Sequence, residues 1–495
     1  MSGTPSRRRF LRSTTTALAA GWLATDTDAA RCEEPAADGK RLRAGAAAVD
    51  ITPEHFPVIV NGGVSEGLAT EAVDRLHARG LVLDDGTTRL AIAVVDSCVI
   101  PRALLDKAKE LARASTGIPV DRMLISATHT HSAPAVAAAL GSDVQADYAE
   151  WLPGRIARAI ELANANLAPA RIGWGVGQDP KNVFCRRYLM KPGTALTNRF
   201  GGTKDDRAQM NPGYLNPNAI ERTGPVDTDV SVLSVQTPDG RPLALLANYS
   251  THYAGSPAIS ADYFGVFCEK IGQLIGAEGR EPAFVGLMSN GTSGDANCCD
   301  FDHAARKFDR FTVAEDVARA AYEAYQTIRY YDWTPLVMHE RIVTLGVRMP
   351  SPEEVAEAKE FLTTFEGRKP RNWTEVYARE TVLLDQMPPT RELKLQAIRI
   401  GELGITGIPA EVFGITGLTI KRKSPLRPTF NIELANGWDG YIPTPRQFEL
   451  GGYTTWRARS SCLEVGAEPK IQAAVLELLG QVADARRDEQ LRPAG

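Results

Sequence analysis

His129 and His131 stand two residues apart between Ser126 and Pro134, directly after the apolar segment Met123 to Ala127. Two imidazoles at this spacing can hold a metal ion together, or divide metal binding and proton transfer between them. If Met123 to Thr128 is a strand, its period of two puts both rings on one face. Two histidines hydrogen-bonded in a polar loop would leave the same trace, so the choice turns on what other ligands the chain supplies. Hydrolytic zinc needs three or four nitrogen or oxygen ligands and an open position for water, usually at strand ends or in the loops after them. Two further segments have that form: Leu245 to Tyr249 runs on into His252, and Ile405 to Ile408 runs on into Glu411. Each has a plainer alternative. Pro409 is placed to start a helix, so Glu411 can simply favour the helix dipole, and His252 can be a satisfied core histidine. His55, His77, His303 and His339 lack the strand-end context and read as structural or surface residues.

The elements that must position these groups are legible as a rhythm of strands and helices. Ala46 to Pro53 opens with a strand, and Leu81 to Leu83 and Leu90 to Asp96 flank the turn Asp84-Asp85-Gly86 as a hairpin. A helix from about Arg102 to Ser115 precedes the strand that delivers His129. Ala146 to Ala165 reads as helical, with Pro153 kinking it or marking its start. Strands follow at Ile172 to Val176, Val230 to Gln236 and Leu243 to Tyr249, then a helix at Tyr263 to Ile275, a strand at Ala283 to Met288 and a long helix at Ala304 to Tyr325. Residues 350–387 read as a helical excursion before strands resume at Lys394 to Arg399 and Leu403 to Thr406. The last helix is expected at Lys470 to Arg487. This alternation predicts an α/β layered domain, with a mixed β-sheet flanked by helices, over about residues 45–490. Arg186 to Gly224 has no periodicity and is expected to be a long functional loop, a rim or lid.

With 495 residues and 43% hydrophobic content the chain can bury a large core. Its 56 basic and 60 acidic side chains are interspersed and leave a net charge of −4, with no basic stripe for a phosphate backbone. Nucleic acid is excluded as a partner on that ground. Residues 1–30 read as a targeting segment: Arg7-Arg8-Arg9-Phe10-Leu11 is a twin-arginine pattern, followed by an apolar stretch from Thr14 to Ala24 and small residues near Ala29. That stretch is too short to span a membrane. Export to a periplasmic or extracellular site is expected, by a route that carries folded, cofactor-loaded protein. Cys32 follows Ala-Ala-Arg, without the small residue that precedes a lipidated cysteine, so no lipoprotein is expected. The seven cysteines show no Cys-x-x-Cys spacing, which disfavours a thiolate zinc site. The adjacent Cys298 and Cys299 read as one partner in a bridge or a buried thiol pair.

Several dispersed motifs resemble, in order, those of the neutral/alkaline non-lysosomal ceramidase family. They are Asp50 to Pro53, Leu76 to Arg79, Thr128 to Pro134, Asn248 to His252, Gly407 to Glu411 and Gly440 to Pro445, and the likeness covers roughly residues 45–480. The separate C-terminal immunoglobulin-like domain of that family is not expected here. The resemblance implies one Zn2+ per chain held by His129, His252, Glu411 and Tyr441. It also implies a substrate-side, proton-shuttling role for His131, and an oxyanion donor in Tyr453, which follows Phe448 to Gly452. Arg186 matches the substrate-contacting arginine, with Arg187 as the alternative because Cys185 stands where the family usually has asparagine.

The implied mechanism is hydrolysis by water whose pKa zinc lowers from about 15.7 toward 7, with the amide carbonyl polarised by the ion. Tyr453 and Arg186 would stabilise the tetrahedral intermediate, and His131 would protonate the departing amine. One departure concerns the substrate: Asn297 occupies a position where the family carries serine, in the segment Ser289 to Asp300. Water-driven hydrolysis does not need that serine. The Gly-rich part of the segment can line a pocket with backbone amides or form a tight loop with no ligand. The leading expectation is therefore an exported zinc amidohydrolase acting on a small or lipid-like N-acyl substrate, with no transmembrane segment and at most transient contact with a membrane surface. Alternatives are a metal hydrolase of an ester, lactone or glycan-linked amide, and an exported binding protein that kept the scaffold without turnover.

Overall fold

The computed structural model describes residues 40–279 and 282–494. The twin-arginine pattern and Cys32 lie outside them. Three main sheets organise the described residues. The first has the order Met123–Ala127, Arg89–Val95, His77–Asp84, Arg43–Asp50, Ala168–Pro169. The second runs Val285–Asn290, Pro242–Tyr249, Asp229–Gln236, Arg171–Gln178, Tyr330–Trp333, Arg492–Pro493, and the third Leu336–Gly346, Thr390–Ile400, Leu403–Ile408, Thr429–Glu433. All three are mixed in the same way: antiparallel strands lead to one parallel pair at an edge. Those pairs are Arg89–Val95 with Met123–Ala127, Pro242–Tyr249 with Val285–Asn290, and Leu403–Ile408 with Thr429–Glu433. A parallel pair needs a crossover, and the helices Arg102–Thr116, Asp262–Leu274 and Gly414–Lys423 supply them.

The sheets are buried on both faces, and the strand Arg89–Val95 shows how. Leu90, Ile92 and Val94 point into a core shared by all three sheets, with Leu233, Leu246, Ile398, Ile405 and Phe430, all fully buried. Ala91, Ala93 and Val95 point the other way, onto Leu105 and Ile156 of the helices Arg102–Thr116 and Ala146–Ala165. Small residues on that outer face let the helices approach closely. Phe267 and Val317, from the helices Asp262–Leu274 and Arg310–Gln326, cover the second sheet. Leu478 and Leu479 of the helix Ala467–Asp484 pack with Leu395 and Ala397 of the third. The result is an α/β layered fold with mixed sheets inside and helices outside.

Some local expectations are corrected. Pro153 is the eighth residue of the helix Ala146–Ala165 and does not start it. Residues 304–309 are not helical: the side chain of Asp309 accepts the Thr312 N–H at 2.8 Å and caps a helix that begins at Arg310. The segment from Arg186 to Gly224 is not structureless. Ala208–Met210, Arg187–Met190 and Ala219–Arg222 form a small sheet in that order, with strands too short to show a period. Glu411 does not sit at a helix start. Glu411–Val412 is a short strand, and the helix begins at Gly414. The six described cysteines are free thiols, Cys298 and Cys299 included.

Candidate active site

The site lies where the parallel edges of the three sheets end. His129 follows Met123–Ala127, His252 follows Pro242–Tyr249 and Glu411 follows Leu403–Ile408. The C-terminal ends of parallel strands are where α/β folds leave a crevice, and here three such crevices meet. Tyr441 arrives from a fourth direction: the strand Tyr441–Ile442 pairs in parallel with Glu411–Val412, with Glu411 opposite Tyr441.

The pleat of a strand does not align His129 with His131. The strand ends at Ala127, and His129 takes a left-handed backbone with φ 74°. That conformation costs a non-glycine residue about 1–3 kcal/mol and needs support from its surroundings. The support is a hydrogen bond from His129 N to Ser97 O at 2.9 Å and one from its ring Nδ1 to Cys98 O at 2.8 Å. The rings nevertheless converge, with their Nε2 atoms 3.2 Å apart. His131 stacks on Tyr253, centroids 3.9 Å apart, and bonds to the Gly62 backbone. Gly62 has φ 106°, and a Cβ there would lie 2.4 Å from His131 Nδ1. Gly62→Ala is expected to displace the His131 ring, lowering kcat at least about tenfold if His131 transfers a proton, with bound metal unchanged. Steady-state kinetics beside elemental analysis checks this.

Two backbone carbonyls decide the tautomers. His129 Nδ1 faces Cys98 O, and His252 Nδ1 faces Ser293 O at 3.2 Å. A carbonyl only accepts, so both Nδ1 atoms carry hydrogen, and in the neutral rings both Nε2 atoms present lone pairs. These two Nε2 atoms are 3.0 Å apart. Glu411 Oε2 lies 3.5 Å from His129 Nε2 and has no hydrogen-bond partner although buried, while Oε1 accepts from Trp438 Nε1 at 3.2 Å. Two ring nitrogens and a buried carboxylate oxygen facing one point repel one another unless positive charge lies among them, and the Arg186 guanidinium, which donates to His252 Nε2 at 3.2 Å, supplies only part of it. His129, His252 and Glu411 offer ligand atoms all within 4.8 Å of one another, a donor set that fits zinc.

The electrostatics of the side chains follow from burial and from this crowding. For His129 burial opposes charge, but the Cys98 thiol and Glu411 outweigh it and raise its pKa. Burial, followed by the charges on His129 and Arg186, pulls His131 well below the usual histidine range. His252 is lowered by burial and by Arg186. Burial and then Glu411 push Tyr441 far above an ordinary phenol. A Tyr441 ligand would thus require the charge of a divalent cation to ionise it.

Arg186 and Arg187 separate cleanly. Arg186 Nη2 lies 3.2 Å from His252 Nε2 and 3.4 Å from the Tyr441 hydroxyl, and donates to Gly294 O at 3.1 Å. Arg187 points away: it donates to Gln447 Oε1 at 2.8 Å, to Thr454 Oγ1 at 3.1 Å and to Gly451 O, and so anchors the turn that carries Tyr453. Tyr453 meets Tyr441 edge to face, centroids 5.6 Å apart. Above these groups is a cavity of about 200 Å³ lined by His131, Arg186, His252, Tyr253, Tyr441 and Tyr453. Trp373, Trp456 and Leu196 wall it, with Ala208 to Asn211 from the small sheet on one side. All seven residues singled out in the sequence therefore gather in one place. The Gly-rich segment does not offer its amides to this cavity. Gly291 N donates to Tyr249 O, Thr292 N to Ser250 Oγ, Ser293 N to Glu433 and Gly294 N to Val412 O, so it is a tight loop satisfied internally.

Gly62, Tyr253 and Trp438 escaped the sequence reading, as did Glu433, which ends the strand Thr429–Glu433 and which burial pushes up to about 8. Glu433 lacks the signal of the others, because Thr429 and Asn431 break the apolar run before it.

No family model matches the chain. Among solved structures, neutral ceramidase from Pseudomonas aeruginosa superposes with a TM-score of 0.65 at 20% identity, over 91% of this chain and 75% of that one. A second, a ceramidase complexed with C2, gives 0.63 at 18% identity, over 90% and 76%. The resemblance read from the dispersed motifs is borne out at the level of the fold.

Proposed function

We propose that the chain is an exported zinc-dependent hydrolase that cleaves a ceramide-like N-acyl amide bond with an activated water. The observation that carries this reading is the convergence of His129 Nε2, His252 Nε2 and a buried Glu411 oxygen without a hydrogen-bond partner beneath an aromatic-walled cavity. His129, His252, Glu411 and Tyr441 would hold the ion. A zinc ion there supplies Lewis-acid polarisation and lowers the pKa of water from about 15.7 toward 7.

The remaining groups have separable tasks. Arg186 brings a permanent positive charge beside the centre, and Tyr453 a phenolic donor, both suited to an oxyanion. His131 is held neutral at rest by burial and by the positive charge of Arg186. The same surroundings make its charged form a strong acid, so a proton it receives from the activated water passes to a departing amine with a large driving force. Trp373 and Trp456 give the cavity flat apolar walls for an acyl group. Among the described residues no helix is long and apolar enough to cross a membrane. The twin-arginine pattern supports export.

Purified protein is expected to contain one zinc per chain by elemental analysis. It is also expected to release amine from a short-chain N-acyl sphingosine or from a member of a panel of polar N-acyl amides. Lack of stoichiometric metal, or brisk turnover of esters or lactones with none of any amide, overturns the amidase reading.

A further inference from the structure

Behind His252, on the side away from the cavity, a buried serine and a buried carboxylate stand in line. His252 Nδ1 lies 3.2 Å from Ser293 O and 3.3 Å from Ser293 Oγ, and Ser293 Oγ lies 2.5 Å from Glu433 Oε1. Ser293 and Glu433 are fully shielded from solvent. The polarity of the line is set by its neighbours. Glu433 Oε2 accepts the Val412 N–H at 2.8 Å and the Ser293 N–H at 3.2 Å, so Glu433 acts as an acceptor. Ser293 has one hydroxyl hydrogen, which goes to Glu433. Its lone pairs are then left to the amide of Asn290, at 3.1 Å, and to the ring N–H of His252. With Glu433 ionised, hydrogen bonds therefore run one way, from imidazole to hydroxyl to carboxylate.

We propose that Ser293 and Glu433 are positioning residues that act through His252: they hold its ring in one orientation and thereby strengthen the grip of the centre on its ion. The proposal rests on the metal-centre reading above. A ligating imidazole that donates its other N–H toward a carboxylate is more basic and is held in one orientation, and losing such a partner weakens metal binding about 10–100-fold. Here the carboxylate acts at one remove, with Ser293 as the link. The two residues come from different sheets, since Ser293 follows Val285–Asn290 and Glu433 ends Thr429–Glu433. The pair thus ties the loop that backs His252 to the strand beside the one that leads to Glu411.

The test is zinc affinity, measured by competition with a chelator on full-length protein, together with the absorption spectrum of the cobalt-substituted form. Ser293→Ala and Glu433→Gln are each expected to weaken zinc binding about 10–100-fold and to shift the cobalt spectrum. The double variant should be no weaker than the worse single one, because both changes break the same line. Ser293→Thr, which keeps the hydroxyl, should restore affinity, and this pair decides the matter if Glu433→Gln does not fold. Unchanged affinity in the single variants, effects that multiply in the double one, or a Ser293→Thr protein as weak as Ser293→Ala overturns the relay while sparing the centre. An unsubstituted protein that binds no metal overturns both.

Discussion

Replacing His129 is expected to empty the metal centre and to cost hydrolysis about a thousandfold or more, since a Lewis-acid ion contributes several kcal/mol to the transition state. The substitution needs care because His129 has φ 74°, a conformation that alanine resists. His129→Asn is the better probe: asparagine accepts the left-handed region, yet its side chain is too short to bring a ligand atom to the place of Nε2. Tyr441→Phe makes the complementary change, removing one oxygen while keeping the ring that packs edge to face on Tyr453. It should bind zinc more weakly but still measurably, because His129, His252 and Glu411 remain close enough to share an ion. The order of metal loss, His129→Asn more than Tyr441→Phe, is read by elemental analysis after dialysis. Equal and full zinc in both variants would show that neither residue is a ligand.

The strand-end donors that could hold a metal were legible because they obey one physical rule: an apolar run buried on both faces stops, and polar groups soon after it are delivered to the crevice at the sheet edge. His129, His252 and Glu411 each follow such a run, whereas Thr429 and Asn431 break the run before Glu433 and hid it. The hairpin around Asp84 to Gly86 was equally plain, since turn residues there interrupt two apolar runs. What was hidden depended on close approach between distant parts of the chain. Gly62 is required because the His131 ring lies against it, and Gly294 because a Cβ there would meet Glu411 O at 2.8 Å. Neither contact leaves a local pattern. The turn at His129 was missed for a related reason: the left-handed backbone is supported by the carbonyls of Ser97 and Cys98, which lie in a distant part of the chain. The choice between Arg186 and Arg187 also needed three dimensions: Arg186, between two short strands, reaches into the site, and Arg187, the first residue of the next strand, reaches the turn that carries Tyr453.

That support gives Tyr453 the second large expected effect. The turn after Phe448 passes through Gly451 and Gly452 with φ of 68° and 85°, and a Cβ on Gly452 would lie 2.2 Å from Ala208 O. The backbone is thus pressed against the small sheet, and Arg187 holds it there through Gly451 O and Thr454 Oγ1. The ring is fixed edge to face by Tyr441, Trp373 and Trp456, at centroid distances of 5.6, 5.1 and 6.3 Å. A phenol placed this rigidly needs no reorganisation to meet a developing negative charge, and removing one such donor costs about 10²–10³ in kcat. Tyr453→Phe is expected to show that loss with zinc content unchanged and KM little altered, because the aromatic wall that holds substrate stays in place. Trp373→Ala should raise KM by removing part of that wall and also lower kcat, because it frees the Tyr453 ring on one side. A Tyr453→Phe protein with full kcat would remove the phenol from the reaction. One that instead lost its metal would make Tyr453 a support for Tyr441, and the oxyanion would then fall to Arg186, whose guanidinium already lies 3.4 Å from the Tyr441 hydroxyl.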